Sequence, residues 1–242
     1  MTDPAAALPA FEVAQQGALD LLADLKSRLE PGMSEHDVHA LAHERGHAMG
    51  FSTWFRAPVV RFGAPAVVRW TDRPRRSARL QAGTIVELEV TPATDAAFGD
   101  AGTAFVFGQD DDAPIVGEAR ELCRAVCGYA SRWKCVGELF VFAQAWTTNR
   151  RASLGGQKSI GFVAMGPERS WAGRWPGGAW GNSLLRRNQV QFFNPRRMNG
   201  IYVIRPRIVL DGQGASFAEM VLVTPDHKQL LARPDLDAVG TL

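Results

Sequence analysis

The sequence predicts an α+β fold, and three observations carry that prediction. Four segments show helical periodicity and fall in two pairs, one early and one in the middle of the chain. Short β-rich runs bounded by Gly and Pro follow each pair. A turn, Asp211-Gly212-Gln213-Gly214, joins two strand-like segments near the end.

In chain order, apolar residues recur at helical spacing from Phe11 to Leu29 (Leu19, Leu22, Leu25, Leu29), and Glu30-Pro31-Gly32 stops the pattern. A second helix is expected from the Ser34 N-cap to about Met49, with Gly50 in a C-cap position. Residues 51–70 read as irregular chain plus a strand over Ala66 to Trp70, followed by the basic loop Arg73-Pro74-Arg75-Arg76. Thr84 to Thr91 and Thr103 to Phe107 fit a hairpin turning at Pro92-Ala93-Thr94-Asp95, which would set Glu89 opposite Asp100. Helices are predicted over Ala113 to Tyr129 and Val136 to Asn149, then a bend at Leu154-Gly155-Gly156 and a strand near Ile160 to Met165. A Gly-rich loop from Pro167 to Asn182 holds Trp171, Trp175 and Trp180, and strands near Ile201 to Arg205 and Ala215 to Thr224 close the chain. No repeat of fixed period is present.

At 242 residues and 46% hydrophobic, the chain can bury one sizeable core, so a single domain over residues 1–242 is expected. A net charge of +2 with dispersed arginines argues against nucleic acid as a partner. The N-terminus lacks the basic start and apolar run of a secretion signal, and no later run is long enough to span a bilayer, so a cytoplasmic protein with no membrane partner is expected. Cys123, Cys127 and Cys135 are odd in number and read as free thiols.

The Gly50-terminated helix, the strand Leu80-Gln81-Ala82-Gly83-Thr84-Ile85-Val86-Glu87-Leu88-Glu89, the pair Gly99-Asp100 and the helical stretch from Ala119 to Gly137-Glu138-Leu139-Phe140 are similar to the M24 family of methionine aminopeptidases, prolidases and creatinase. The similarity runs from the first helix to about Leu231. It implies the pita-bread fold, a curved antiparallel sheet covered by helices.

In that family two aspartates, a histidine and two glutamates hold two divalent cations, which clamp a water that attacks the amide. The resemblance places the first aspartate at Glu89 and the second at Asp100. It places the histidine at Phe162 in Gly161-Phe162-Val163-Ala164-Met165-Gly166, the first glutamate at Arg205 in Ile204-Arg205-Pro206, and the last at Glu219. The family's proton-shuttling histidine falls at Trp70. A phenyl ring offers no donor atom and a guanidinium is a permanent cation, so the resemblance implies a scaffold without its metal, and no cofactor is expected.

Glu89, Asp100, Glu219 and Arg205 are therefore the candidate catalytic residues, with Trp70, Phe162, Arg69, Arg61 and Phe193 as candidate substrate contacts. Arg207 is a further candidate to hold a substrate carboxylate. His36, His39, His43 and His47 lie along one side of the second helix, but His39 is not followed by the Glu of an HExxH motif, and a solvated or half-buried face is the favoured reading. Neither a GxSxG elbow nor a dinucleotide fingerprint is present.

The leading functional expectation is metal-independent acid/base chemistry on a small amine or amino acid. Glu89 would be the main proton carrier, its pKa raised by crowding and aromatic walls. Pictet-Spengler condensation on an aromatic amine is one reaction of that class. A non-catalytic M24-like binding module is the alternative, and an atypical metallo-aminopeptidase the second. The expected partner is a small-molecule substrate, and a homodimer is compatible with the chain.

Overall fold

The structure, a computed structural model, describes residues 4–51, 53–68, 72–110, 113–165 and 188–232. Each half of the chain contributes a helix pair followed by antiparallel strands. The first half comprises α1 (Pro4–Ser27), α2 (Glu35–Ala48), β1 (Thr53–Trp54), β2 (Val59–Phe62), β3 (Ile85–Val90), β4 (Pro92–Ala93) and β5 (Ala101–Val106). The second comprises α3 (Pro114–Tyr129), α4 (Val136–Asn149), β6 (Gly161–Met165), β7 (Gly200–Ile204), β8 (Arg207–Leu210), β9 (Gln213–Ser216), β10 (Glu219–Val223) and β11 (Lys228–Leu230).

α2 begins where the sequence says it should. Ser34 Oγ accepts from the Asp37 N–H at 3.2 Å while the Asp37 carboxylate accepts from the Ser34 N–H at 2.9 Å, a reciprocal capping box. Gly50 follows its end at φ +88°, a left-handed conformation that costs glycine nothing. α1 begins earlier than its apolar stripe, at Pro4.

β3 lies between β2 and β5 in a three-stranded antiparallel sheet. Its side chains alternate: Val86, Leu88 and Val90 join Leu21, Leu22 and Leu25 of α1 in one core, leaving Glu87 and Glu89 on the other face. In the second half β11, β10, β7 and β6 form a four-stranded sheet, and residues of α3 and α4 pack with Tyr202, Ile204, Ile208 and Val221 in a second core. A third core gathers Phe11, Phe55 and Phe98 of the first half with Phe162 and Met220 of the second.

The two sheets meet at one backbone contact. The Gly102 N–H donates to Ala218 O at 3.3 Å and the Ala218 N–H to Gly102 O at 3.1 Å. A Cβ on Gly102 would lie 3.0 Å from that of Ala218, so a glycine suits the approach. Gly102 is the register partner of Glu89, and Ala218 precedes Glu219, so this contact carries the last acid toward the first.

Two expected strands and one expected turn are corrected. Ala66 to Val68 form no strand; the strand beside β3 is β2, whose four residues complete the ladder with Val86 to Glu89. Pro92 and Ala93 are strand rather than turn, pairing with β1, and the chain reverses beyond them where Thr94 Oγ1 accepts from the Ala97 N–H. The segment Ala215 to Thr224 divides at Phe217 and Ala218 into β9 and β10. The turn at Asp211 (φ +50°) and Gly212 (φ +77°) therefore joins β8 to β9. No helix among the described residues is long and apolar enough to cross a membrane. All three cysteines are free thiols.

Candidate functional site

Glu89 and Asp100 do not pair with each other directly. Glu89 is opposite Gly102, and Asp100 lies just before β5. What joins them is a cation that the sequence reading missed. Arg56 Nη2 donates to Asp100 Oδ2 at 2.8 Å and also to Glu89 Oε1. Arg205 Nη1 donates to the same Glu89 oxygen, so two guanidiniums converge on one carboxylate.

Each member is held by its backbone. Thr91 Oγ1 accepts the Arg56 N–H at 2.9 Å and donates to the Arg56 carbonyl at 2.7 Å, fixing that residue from both sides. Gln15 of α1 treats Asp100 likewise, accepting its N–H at 2.8 Å and donating to its carbonyl at 3.1 Å. Gly99 allows that approach, because a Cβ there would lie 2.2 Å from Ala14 O. The Arg205 N–H donates to Ile160 O at 2.6 Å, anchoring it where β7 ends.

The electrostatics reverse the expectation for Glu89. Burial pushes its pKa up, but Arg205 and Arg56 outweigh burial and bring it down to about 2. Asp100 goes the other way: its carboxyl is fully buried, and desolvation, with the Glu89 charge adding to it, raises its pKa to about 6 despite Arg56 and Arg205. Burial of Arg56 works against its charge, yet Glu89 and Asp100 prevail and raise its pKa, so it stays a cation. Among the described residues the carboxyl nearest to neutral titration in this cluster is therefore Asp100.

A second buried pair adjoins the first. Arg207 Nη1 donates to both carboxylate oxygens of Glu87 at 2.8 Å, and Ser216 Oγ donates to Glu87 Oε1. Arg207 also reaches the Pro65 and Ala66 carbonyls. Its side chain thus has internal partners, Glu87 and two carbonyls, while it also borders the recess. Between the two pairs lies a recess of about 70 Å³, lined by Arg56, Val59, Val68, Glu87, Glu89, Gln157, Arg205, Arg207 and Ser216.

The remaining candidates divide. Glu219 is buried at the start of β10, opposite Ile204, the residue before Arg205. Phe162 is buried in a ring stack, 5.4 Å from Phe55 and 6.2 Å from Phe98, and does not line the recess. Arg61 donates to the Val60 and Asp72 carbonyls at 2.6 Å and lies 4.0 Å from Glu35, and it forms no ion pair with Glu89 or Asp100. Phe193 is 85% exposed beside Phe192 and lines no part of the recess. Trp70, Arg69 and the tryptophans at 171, 175 and 180 lie outside the described residues. His39 and His43 stack at 4.8 Å, and His43 meets Trp54 edge-on at 5.1 Å, so the histidine face packs locally.

Two signals could have revealed Arg56. It follows two aromatic residues, Trp54 and Phe55, in a short apolar stretch, and two carboxylates on a buried hairpin without a metal demand a cation. Among the described residues no group of three or more His, Cys, Asp or Glu is disposed to hold a metal ion, and one oxygen of each of Glu89 and Asp100 is engaged by Arg56 while Asp100 Oδ1 has no hydrogen-bond partner.

The fold resembles those of known peptidases. The X-Pro aminopeptidase from Thermotoga maritima superimposes with a TM-score of 0.76 at 14% identity, covering 96% of this chain and 62% of that one. The Xaa-Pro dipeptidase from Bacillus anthracis gives 0.77 at 14% identity, with 96% and 61% covered. Methionine aminopeptidase from Thermotoga maritima gives 0.71 at 16% identity, covering 94% of this chain and 96% of that one. The chain thus spans 62% of the length of the X-Pro aminopeptidase, and these identities establish shared fold alone. Among curated protein sequences none matches. Residues 10–139, more than half of the chain, match the family model for metallopeptidase family M24, and with the pita-bread architecture described above this chain belongs to that family.

Proposed function

We propose that this chain is a metal-independent M24 protein in which a guanidinium-carboxylate network takes the place of the metal pair and serves a small organic molecule. One observation carries the reading: Arg56 Nη2 is hydrogen-bonded to both Glu89 and Asp100. At an effective dielectric of about 20, a divalent ion ~4 Å from one guanidinium meets roughly 8 kcal/mol of repulsion. Arg205 on Glu89 adds to it. A metal would have to displace cations that are covalently tethered to the fold.

The carboxyl that changes charge near neutrality in this reading is Asp100 rather than Glu89, and being fully buried and off the lining of the recess it sets the charge of the network without meeting the ligand. A carboxyl held at about 6 exchanges its proton near neutrality, whereas Glu89 at about 2 stays an anion that positions Arg56 and Arg205. The recess of about 70 Å³ has the volume of roughly two water molecules, which supports a small polar group over a macromolecular partner. Nothing in the described residues supports the Pictet-Spengler reaction in particular.

Metal content by plasma mass spectrometry tests the proposal, on tag-free protein incubated with cobalt or manganese and then desalted. The expected result is no stoichiometric metal and no cleavage of Met- or Xaa-Pro-peptides. Near-stoichiometric metal that disappears in Asp100→Asn would overturn the reading and restore a metallopeptidase.

A further inference from the structure

The three arginines of the recess are not equivalent. Arg207 is 4% exposed and forks onto Glu87, and Arg56 is 11% exposed and shared between Glu89 and Asp100. Arg205 is 26% exposed and commits only Nη1, to Glu89; its Nε and Nη2 have no hydrogen-bond partner among the described residues. Gln157 stands on the same wall. Its Oε1 accepts the Arg207 N–H at 2.8 Å, while its amide nitrogen has no such partner among the described residues. The three guanidiniums face the carboxylates of Glu87 and Glu89 and, through Arg56, that of Asp100, so the charges balance when all three acids are ionised and what the recess offers is unused N–H donors.

Resting on the metal-independent reading above, we propose that the recess binds the carboxylate of a small molecule, with Arg205 as the recognising cation and Gln157 as a second donor. Two N–H groups of one guanidinium match the two oxygens of a carboxylate, and an amide N–H beside them completes a donor set that an amine could not use. The volume admits a carboxylate head, with the stem of a short acid or the rest of a larger molecule extending out of the recess. Phosphate has similar chemistry but brings a larger head and a second charge.

Isothermal titration of the full chain after EDTA treatment tests this, with propionate as the probe and chloride, phosphate and ethylamine as comparisons at constant ionic strength. Saturable propionate binding is expected, at least tenfold tighter than the other three. Arg205→Lys, which keeps the charge and loses the fork, should weaken it about tenfold, and Gln157→Leu severalfold, while Phe193→Ala leaves it unchanged. Propionate binding that is no tighter than chloride, or is undiminished in both Arg205→Lys and Gln157→Leu, overturns the proposal; preference for phosphate replaces the carboxylate with a different anion and overturns it too. Propionate binding that vanishes with EDTA and returns with manganese places the anion on a metal, and then the metal-independent reading fails along with this one.

Discussion

Changing Asp100 to Asn should remove a pH dependence that the wild-type chain carries between about pH 4 and pH 6. The ordinary aspartate pKa is 3.8, and in the folded chain it is raised to about 6 because burial disfavours the anion. Well below 3.8 the carboxyl is protonated whether the chain is folded or not, and contributes no pH dependence. As pH rises above that, the unfolded chain releases its proton freely while the folded chain retains it until about 6, so the folded state progressively loses stability. At about 1.4 kcal/mol per pKa unit the loss is roughly 3 kcal/mol, complete above about pH 6. Glu89 acts in the opposite sense: its carboxylate contributes stability above its ordinary 4.5 that is lost on acidification toward about 2. Asn can still accept from Arg56 through its amide oxygen and does not titrate. Urea unfolding followed by circular dichroism from about pH 4 to pH 8 should therefore show Asp100→Asn gaining about 3 kcal/mol on wild type as pH rises. A difference between the two proteins that is flat to within about 1 kcal/mol, or that grows toward acid, would refute the argument that burial outweighs Arg56 at this carboxyl.

Two further substitutions test the scaffold. Arg207→Met leaves Glu87 buried with only Ser216 as a donor and should cost about 3–5 kcal/mol in urea unfolding, much of it recovered by adding Glu87→Gln; a single variant as stable as the double would show that the pair is not the buried unit described. Gly161→Ala places a Cβ 2.0 Å from Val203 O across the β6–β7 pair, at φ +155°, so a thermal melt should report destabilisation of roughly 3 kcal/mol or more, and a wild-type melting temperature would contradict that register.

Local signals made much of the fold legible. Ser34 and Gly50 bracket α2 as caps, and α3 and α4 fall within a residue of their apolar stripes. Single-strand bounds were harder: Val59 to Phe62 follow a proline and contain a charged Arg61, and only pairing with β3 makes them a strand. The site was half visible. Glu89, Asp100 and Arg205 are brought together, but their partner Arg56 comes from a loop 33 residues before Glu89, and nothing periodic in sequence announces such a contact. For the same reason the expected rise in the Glu89 pKa is the opposite of the shift the two guanidiniums impose. Crowding by other acids was visible in the resemblance, whereas the two guanidiniums on Glu89 required coordinates.

The placement of these charges bears on what the site is for. Glu87, Glu89, Asp100, Arg56 and Arg207 are all largely buried, yet buried ion pairs contribute little net stability compared with well-packed apolar residues of the same volume. The stabilisation of the fold has other sources in the three apolar cores. Leucine or phenylalanine at these positions would cost no desolvation and would close the recess. The network nonetheless receives support from both halves of the chain: Gln15 from α1, Thr91 after β3, Ile160 before β6 and Ser216 at the end of β9. Support of that kind fixes donor and acceptor atoms in space, which a stability role does not need and recognition of a polar ligand does. Arg205, the least buried of the three guanidiniums, is where such a ligand would meet the network.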